Sequence, residues 1–247
     1  MRWVMLVFSL LAGLPVAGES LLVVRGDGDY PPYESIRGGK LSGSNIELVQ
    51  AAAAEAGYQL EIRSVAWTRA LEMVRLGLAD AVTFVSKTVE REAYILYLPD
   101  NILTPITFGL FGKAGGNWPK EWGGDLTRLK GLRIGTLRNY AYPEVFRQAD
   151  FLNRFESPGD NTLLLKNLLA GRVDLVISDI NEFRFAVSQG KVHDQVVELQ
   201  PAFPSTTAYL GFSKARGGEA ASRIAAAMAT LRRRGDYQQI LQRHQNP

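Results

Sequence analysis

The sequence contains no cysteine. Disulfides, thiol nucleophiles and thiolate metal sites are therefore excluded. Histidine is nearly as scarce: only His193 and His244 occur, far apart in the chain. A zinc site built on imidazoles or a Ser-His couple thus finds no support. Excess charge is small as well, with 28 Lys and Arg against 25 Asp and Glu leaving +3 spread along the chain. That gives no electrostatic footprint for nucleic acid. The one basic cluster, Arg232-Arg233-Arg234, ends an amphipathic helical pattern, where it complements the helix dipole.

Long hydrophobic runs are also lacking. The apolar stretch at residues 4–16 is broken by Ser9, Gly13 and Pro15 and is shorter than the about 20 residues of a membrane span. With Arg2 before it and Val16-Ala17-Gly18 after it, it reads as a cleaved secretory signal over residues 1–18. The mature chain is expected to start near Glu19 and to work as a monomer in the periplasm. Missing cysteines are compatible with that compartment, because 247 residues are enough to build a core without covalent staples.

What is present is an alternation of strand and helix patterns. Residues 21–25 read as a buried strand. Ser44-Asn45-Ile46-Glu47 has the spacing of a capping box, followed by helical spacing of Ile46, Val49, Ala52, Ala53 and Ala56 and a stop at Gly57. A strand at 59–63, a helix at 68–76 and a strand at 81–85 complete a β-α-β-α-β unit. The pattern restarts after Lys130-Gly131: strand 132–136, helices 142–149 and 162–169, the latter capped by Asp160, and strand 174–177. Each half contains one helix stop and strand start of the same form, Gly77-Leu78-Ala79-Asp80 and Gly171-Arg172-Val173-Asp174. Two similar α/β lobes follow from this. Residues 106–111 and 208–212 read as extended crossing segments, and helical patterns at 219–233 and 236–243 close the chain. The division predicted is lobe one from 19–107 plus 208–247, and lobe two from 108–207, with a two-strand hinge and a ligand crevice between them.

Ligands of open α/β sheets bind beyond the carboxyl ends of strands. The residues there are Asp27, Tyr30 and Tyr33 after the first strand, Ser86, Lys87 and Arg91 after the third, Arg138 and Tyr140 in lobe two, and Asp179 further on, with Trp67 before the second helix. A guanidinium, carboxylates, aromatic faces and hydroxyls are what a zwitterion with a packed side chain needs.

These segments resemble the family 3 bacterial extracellular solute-binding proteins, which include polar amino-acid receptors of ABC importers. The resemblance covers residues 21–244 and rests on four motifs. They are Asp27, Tyr30, Pro32 and Tyr33; Gly77, Asp80, Ala81, Ser86, Thr88, Glu90 and Arg91; Gly131 with Gly135; and Gly171, Arg172, Asp174 and Asp179. The resemblance implies a type II periplasmic-binding-protein fold. It also implies that Arg91 clamps a ligand carboxylate and Asp179 accepts its ammonium. Tyr30 and Trp67 would sandwich the side chain, Ser86 and Thr83 would add polar contacts, and Asp27 would assist. No metal, nucleotide or other cofactor is implied.

The chain departs from that pattern in two places. The segment Thr83-Phe84-Val85-Ser86 is one residue short, and Arg138-Asn139-Tyr140 replaces a small turn. Arg138 and Tyr140 are thus expected to shrink the pocket or to recognise an acidic group. The expected partners are a small amino-acid-like ligand and an inner-membrane ABC permease. Two alternatives remain at this point: a cyclohexadienyl or arogenate dehydratase-like enzyme, with Glu182 or Lys87 as the acid, and a ligand-presenting subunit for a membrane sensor.

Overall fold

A computed structural model describes residues 19–245 apart from Asn139 and Gly159. The proposed signal at 1–18 lies outside the described residues. Two sheets are formed, each with helices on both faces. The first gathers β1 (Glu19–Gly26), β4 (Tyr58–Val65) and β5 (Ala81–Ser86), with β6 (Ile95–Leu96), β7 (Ile102–Ile106) and β13 (Thr206–Ser213). Its path runs β4-β1-β5-β13-β6, and β7 also pairs with β13. A small hairpin, β2 (Ser35–Arg37) and β3 (Lys40–Ser42), stands outside it. The second sheet runs β10-β9-β11-β8-β12, from β8 (Phe108–Lys113), β9 (Arg133–Leu137), β10 (Asn153–Ser157), β11 (Leu175–Asp179) and β12 (Val196–Leu199).

In both sheets the central pairings are parallel, β1 with β4 and β5, and β9 with β10 and β11. Parallel strands need covering on both faces. In lobe one, α1 (Ser44–Glu55), α7 (Gly218–Arg234) and α8 (Asp236–Gln245) cover one face. There Leu48, Val49, Ala52, Ile224, Met228 and Leu241 pack on Leu21, Val23 and Phe212. Helix α2 (Trp67–Arg75) covers the other through Ala70, Met73 and Val74. In lobe two, α5 (Asn161–Leu169) and α6 (Ile180–Gly190) form one layer, and the short α4 (Glu144–Arg147) belongs to the opposite one.

The phrase shared by the two halves has a structural cause. Asp80 Oδ2 accepts the Leu22 N–H and Asp174 Oδ2 accepts the Arg133 N–H, both at 2.8 Å. The backbone N–H groups of these aspartates donate back to Leu22 and Arg133, at 2.9 and 2.8 Å. Each aspartate therefore stitches its own strand to the neighbouring one, and the regular strand begins one residue later, at Ala81 and Leu175.

Two local expectations are corrected. The capping box at Ser44 does not form: Gly43 is the N-cap, and no side chain caps α1. The Ser44 and Asn45 N–H groups donate instead to the carbonyls of Pro32 and Tyr33, both at 3.1 Å. A Cβ on Gly43 would overlap the Tyr33 carbonyl, and its φ of 124° suits only glycine. The helix expected at 142–149 is shortened to α4 because Pro143 occupies its N-cap and keeps Tyr142 from helical geometry.

The chain passes from the first sheet to the second at Thr107 and returns between Leu199 and Thr206. The second extended segment, β13, lies wholly within the first sheet.

Candidate functional site

The carboxyl ends of β1, β5, β9 and β11 converge on the space between the lobes. A central cavity of about 120 Å³ lies there, lined by Tyr30, Trp67, Thr83, Ser86 and Arg91 from lobe one and by Tyr140, Asp179 and Glu182 from lobe two. Seven of the nine residues expected from the sequence to contact ligand therefore line one cavity. Asp27 and Arg138 do not reach it. They border the wide outer cleft, of about 1230 Å³, where Arg138 pairs with Glu156 at 2.8 Å on an exposed rim. Lys87 on the facing rim pairs with Glu92 at 2.8 Å.

Arg91 lies in the four-residue helix α3 (Val89–Glu92), whose N-cap is Thr88. Its Nη1 donates to the Ser86 carbonyl at 3.0 Å, and its guanidinium lies 5.5 Å from the Trp67 ring centroid. Among the described residues no carboxylate pairs with Arg91 within 4.0 Å. A planar fork positioned this way retains donors for a carboxylate.

Thr83 and Phe84 sit in a β-bulge, where two residues of β5 oppose Leu210 alone. Phe84 takes φ 53°, a left-handed conformation that costs a bulky residue about 1–3 kcal/mol. The bulge turns the Thr83 hydroxyl onto Glu34. The Phe84 ring lies 5.1 Å from Tyr33 and 5.9 Å from Tyr30. Beneath them Glu34 is 1% exposed and pairs with fully buried Arg25 at 3.0 Å. Burial pushes the Glu34 carboxyl up, against the opposing pull of Arg25.

On the facing lobe Asp179 caps α6. Its Oδ1 accepts the Asn181 and Glu182 N–H groups and the Tyr33 hydroxyl, each at 3.0 Å. Its Oδ2 accepts the Thr107 N–H at 3.2 Å. Asp179 is pushed up to about 6, burial outweighing those donors. Glu182, one turn on, is 3% exposed. Its Oε2 accepts from the Tyr140 hydroxyl and, at 2.9 Å, from Asn161 Nδ2. Burial, then the charge of Asp179, pushes its carboxyl up to about 8. Burial and mutual repulsion thus push both carboxyls towards the protonated form.

Sequence reasoning gave no weight to Arg25, Glu34, Phe84 or Phe108 and only a passing place to Glu182. The signal that could have found Glu182 is its position three residues after the strand-terminal Asp179, which puts it on the first turn of the helix.

Residues 22–247 match the bacterial extracellular solute-binding proteins, family 3. The chain belongs to this family. No curated protein matches this solute-binding protein by sequence. Among solved structures, a histidine kinase sensor domain with similarity to periplasmic binding proteins aligns with a TM-score of 0.77 and 22% identity, over 92% of this chain and 96% of that one. An ancestral arginine-binding protein bound to arginine aligns with a TM-score of 0.74 and 20% identity, over 92% and 98%. An amino acid ABC transporter substrate-binding protein from Streptococcus pneumoniae, bound to L-arginine, gives 0.73 and 21%, over 92% and 94%. These likenesses establish the type II periplasmic-binding-protein fold of this family 3 protein.

Proposed function

We propose that this solute-binding protein captures a small amino-acid-like ligand in its interlobe cleft, in the periplasm, for an ABC importer. The observation that carries the reading is a pairing of opposites across one cavity. Arg91 on lobe one has no carboxylate partner among the described residues, and buried acids on lobe two face the same space. Between them stand the rings of Tyr30, Trp67, Phe84 and Tyr140. A ligand with a carboxylate at one end, an ammonium at the other and an apolar body satisfies all three features. Lobe one comprises 19–107 and 208–247 in this reading, and lobe two 108–207. The signal at 1–18 directs export.

The solved relatives include both a transporter subunit and a kinase sensor domain, so a sensor partner is the alternative to a permease. A pull-down from membranes, with and without amino acids, separates the two. One observation favours a different class altogether. Glu182 is a buried, cavity-lining acid whose carboxyl is pushed up by burial and by the charge of Asp179, the direction that a general acid for a dehydratase-like reaction needs. Incubation with prephenate, followed by absorbance of the aromatic product, tests it.

The main reading is tested by thermal unfolding of the chain from Glu19 against amino acids. Ligand at about 100 times its dissociation constant adds about 2.7 kcal/mol. That corresponds to a rise of about 5–10 °C in Tm. Arg91→Ala abolishes the rise. Absence of any rise with wild-type protein and every amino acid sinks the assignment.

A further inference from the structure

Among the described residues, four charged side chains line the central cavity: Glu34, Arg91, Asp179 and Glu182. Glu34 has its counter-charge within the protein, from Arg25 at 3.0 Å. Arg91 and Asp179 are the groups that the amino-acid reading gives to the ligand carboxylate and ammonium. Asp179 remains open to that ammonium, because its Oδ2 accepts only from the Thr107 N–H among the described residues. Glu182 is left without a counterpart. It is 3% exposed and has no Lys, Arg or His within 4.0 Å among the described residues. Its donors, Tyr140 and Asn161, both fall on Oε2, and no donor among the described residues reaches Oε1.

Burying a carboxylate away from any cation is costly unless something supplies the charge. Burial and the charge of Asp179 push the Glu182 carboxyl up, the direction expected of an acid in that condition. Room for an incoming cation is present. Glu182 also lines a side cavity of about 400 Å³. The Tyr30 and Tyr140 rings, 6.4 Å apart between centroids, line both spaces. Asp29 and Asp160 line the side cavity too. Each uses one oxygen on a local backbone N–H, of Ile36 and Leu163, and leaves the other without a donor among the described residues. Arg138 is the one base that lines the side cavity among the described residues, and it is paired with Glu156 on the rim. An excess of acids beside aromatic faces suits a methylene chain that ends in a cation. An acidic side chain finds no free base there.

We infer that Glu182 forms a side-chain subsite, selecting an amino acid whose side chain ends in a cation, as in ornithine, lysine or arginine. The inference rests on the amino-acid reading of the site and names the side-chain class it takes. Asp179 and Glu182 are three residues apart at the head of α6, a spacing of about 5–6 Å between Cβ atoms. The methylenes of such a ligand bridge the two acids, with the α-ammonium on Asp179 and the side-chain cation on Glu182, and pack against Tyr30 and Tyr140. Arg91 then meets one carboxylate, and Asp179 and Glu182 meet two cations. No charge in the cavity is left unmatched.

The test is isothermal titration of the chain from Glu19 with two matched pairs, L-arginine against L-citrulline and L-lysine against L-norleucine. Each pair keeps the backbone groups and nearly the same shape and differs in side-chain charge. Wild-type protein is expected to prefer the charged member by about tenfold to a hundredfold, the range of one charge-assisted hydrogen bond. In Glu182→Gln, whose folding is checked by its thermal transition, the preference falls towards parity. A crystal structure of the wild-type protein with the tighter-binding base needs no variant: its side-chain cation is expected within about 4 Å of the Glu182 carboxylate. Binding of citrulline or norleucine at least as tightly as the charged partner overturns the inference and leaves the amino-acid reading intact. So does binding of other amino acids but of neither base, an unchanged preference in Glu182→Gln, or a side-chain cation seated away from Glu182. Failure of every common L-amino acid to bind wild-type protein overturns both.

Discussion

The Tyr33 hydroxyl lies 3.0 Å from Asp179 Oδ1, joining the loop after β1 to the head of α6 across the cleft. Asn181 Nδ2 donates to the same hydroxyl at 2.8 Å. Nearby, Arg37 of the β2–β3 hairpin lies 5.1 Å from the Phe185 ring centroid on α6. These contacts make one edge of the cleft a lobe-to-lobe junction, while Arg91 and Glu182 face the cavity beside it. Lobe closure and ligand recognition thereby draw on neighbouring residues of the same helix.

Tyr33→Phe removes one hydrogen bond to a buried carboxylate, a loss of about 1.5–3 kcal/mol. Tm is expected to fall by about 3–10 °C. Small-angle scattering is expected to show a larger radius of gyration, because the junction at the edge of the cleft is weakened. Unchanged Tm and radius contradict a stabilising role for this contact.

Replacement of Phe84 separates backbone strain from packing. Glycine in place of alanine usually destabilises a strand, but φ 53° at Phe84 reverses the sign. Phe84→Gly is expected to be more stable than Phe84→Ala by about 1 kcal/mol, read as the difference in urea midpoint at equal slope. Both variants enlarge the central cavity. Tighter binding of bulky amino acids is the expected consequence for specificity.

The pH dependence of stability follows from acids whose carboxyls are raised on folding. Glu182 rises from an ordinary 4.5 to about 8, and Asp179 from 3.8 to about 6. Between each pair of values the folded chain keeps a proton that the unfolded chain has released. The stabilisation is complete below the lower value and is lost as pH climbs to the higher one, by about 1.4 kcal/mol per pH unit for each proton. Tm is expected to decline from about pH 5 to about pH 8. Glu182→Gln, neutral throughout, flattens the upper part of that slope. A wild-type Tm that rises across the range contradicts the assignment.

The Arg25–Glu34 pair is sealed under the cleft floor, at 0% and 1% exposure. Arg25→Met leaves Glu34 without its cation and is expected to cost about 3–5 kcal/mol. Exchanging both, Arg25→Met with Glu34→Leu, restores a large part of that loss, because the desolvation of both charges is removed together. Denaturation of the two variants in urea measures the difference. Equal instability of single and double variants argues against ion-pair desolvation as the cause.

Much of the architecture was legible in the chain. Apolar strands separated by helical repeats, glycine stops, and one Gly-x-x-Asp phrase per half encode local geometry, and local geometry is what periodicity and turn chemistry report. The Asp80 and Asp174 phrases were visible because each aspartate bonds a strand that its own β-α-β unit supplies. Arg91 and Asp179 were singled out because they lie close to the carboxyl ends of β5 and β11, and their expected roles came from the family resemblance. The failures are equally local in cause. At Ser44, carbonyls from the 30–34 turn took the place of a side-chain cap, a competition among backbone groups that side-chain spacing does not record.

The amino-acid order alone determined the two-lobed α/β plan, the absence of thiol chemistry and the set of polar groups at strand ends. Tertiary structure decided which of those groups face the cleft and which are consumed in holding it. Asp179 and Glu182 are three residues apart and chemically alike. Packing gave one four donors from three segments and left the other buried without a cation among the described residues, because hydrogen-bond satisfaction and desolvation depend on neighbours distant in sequence.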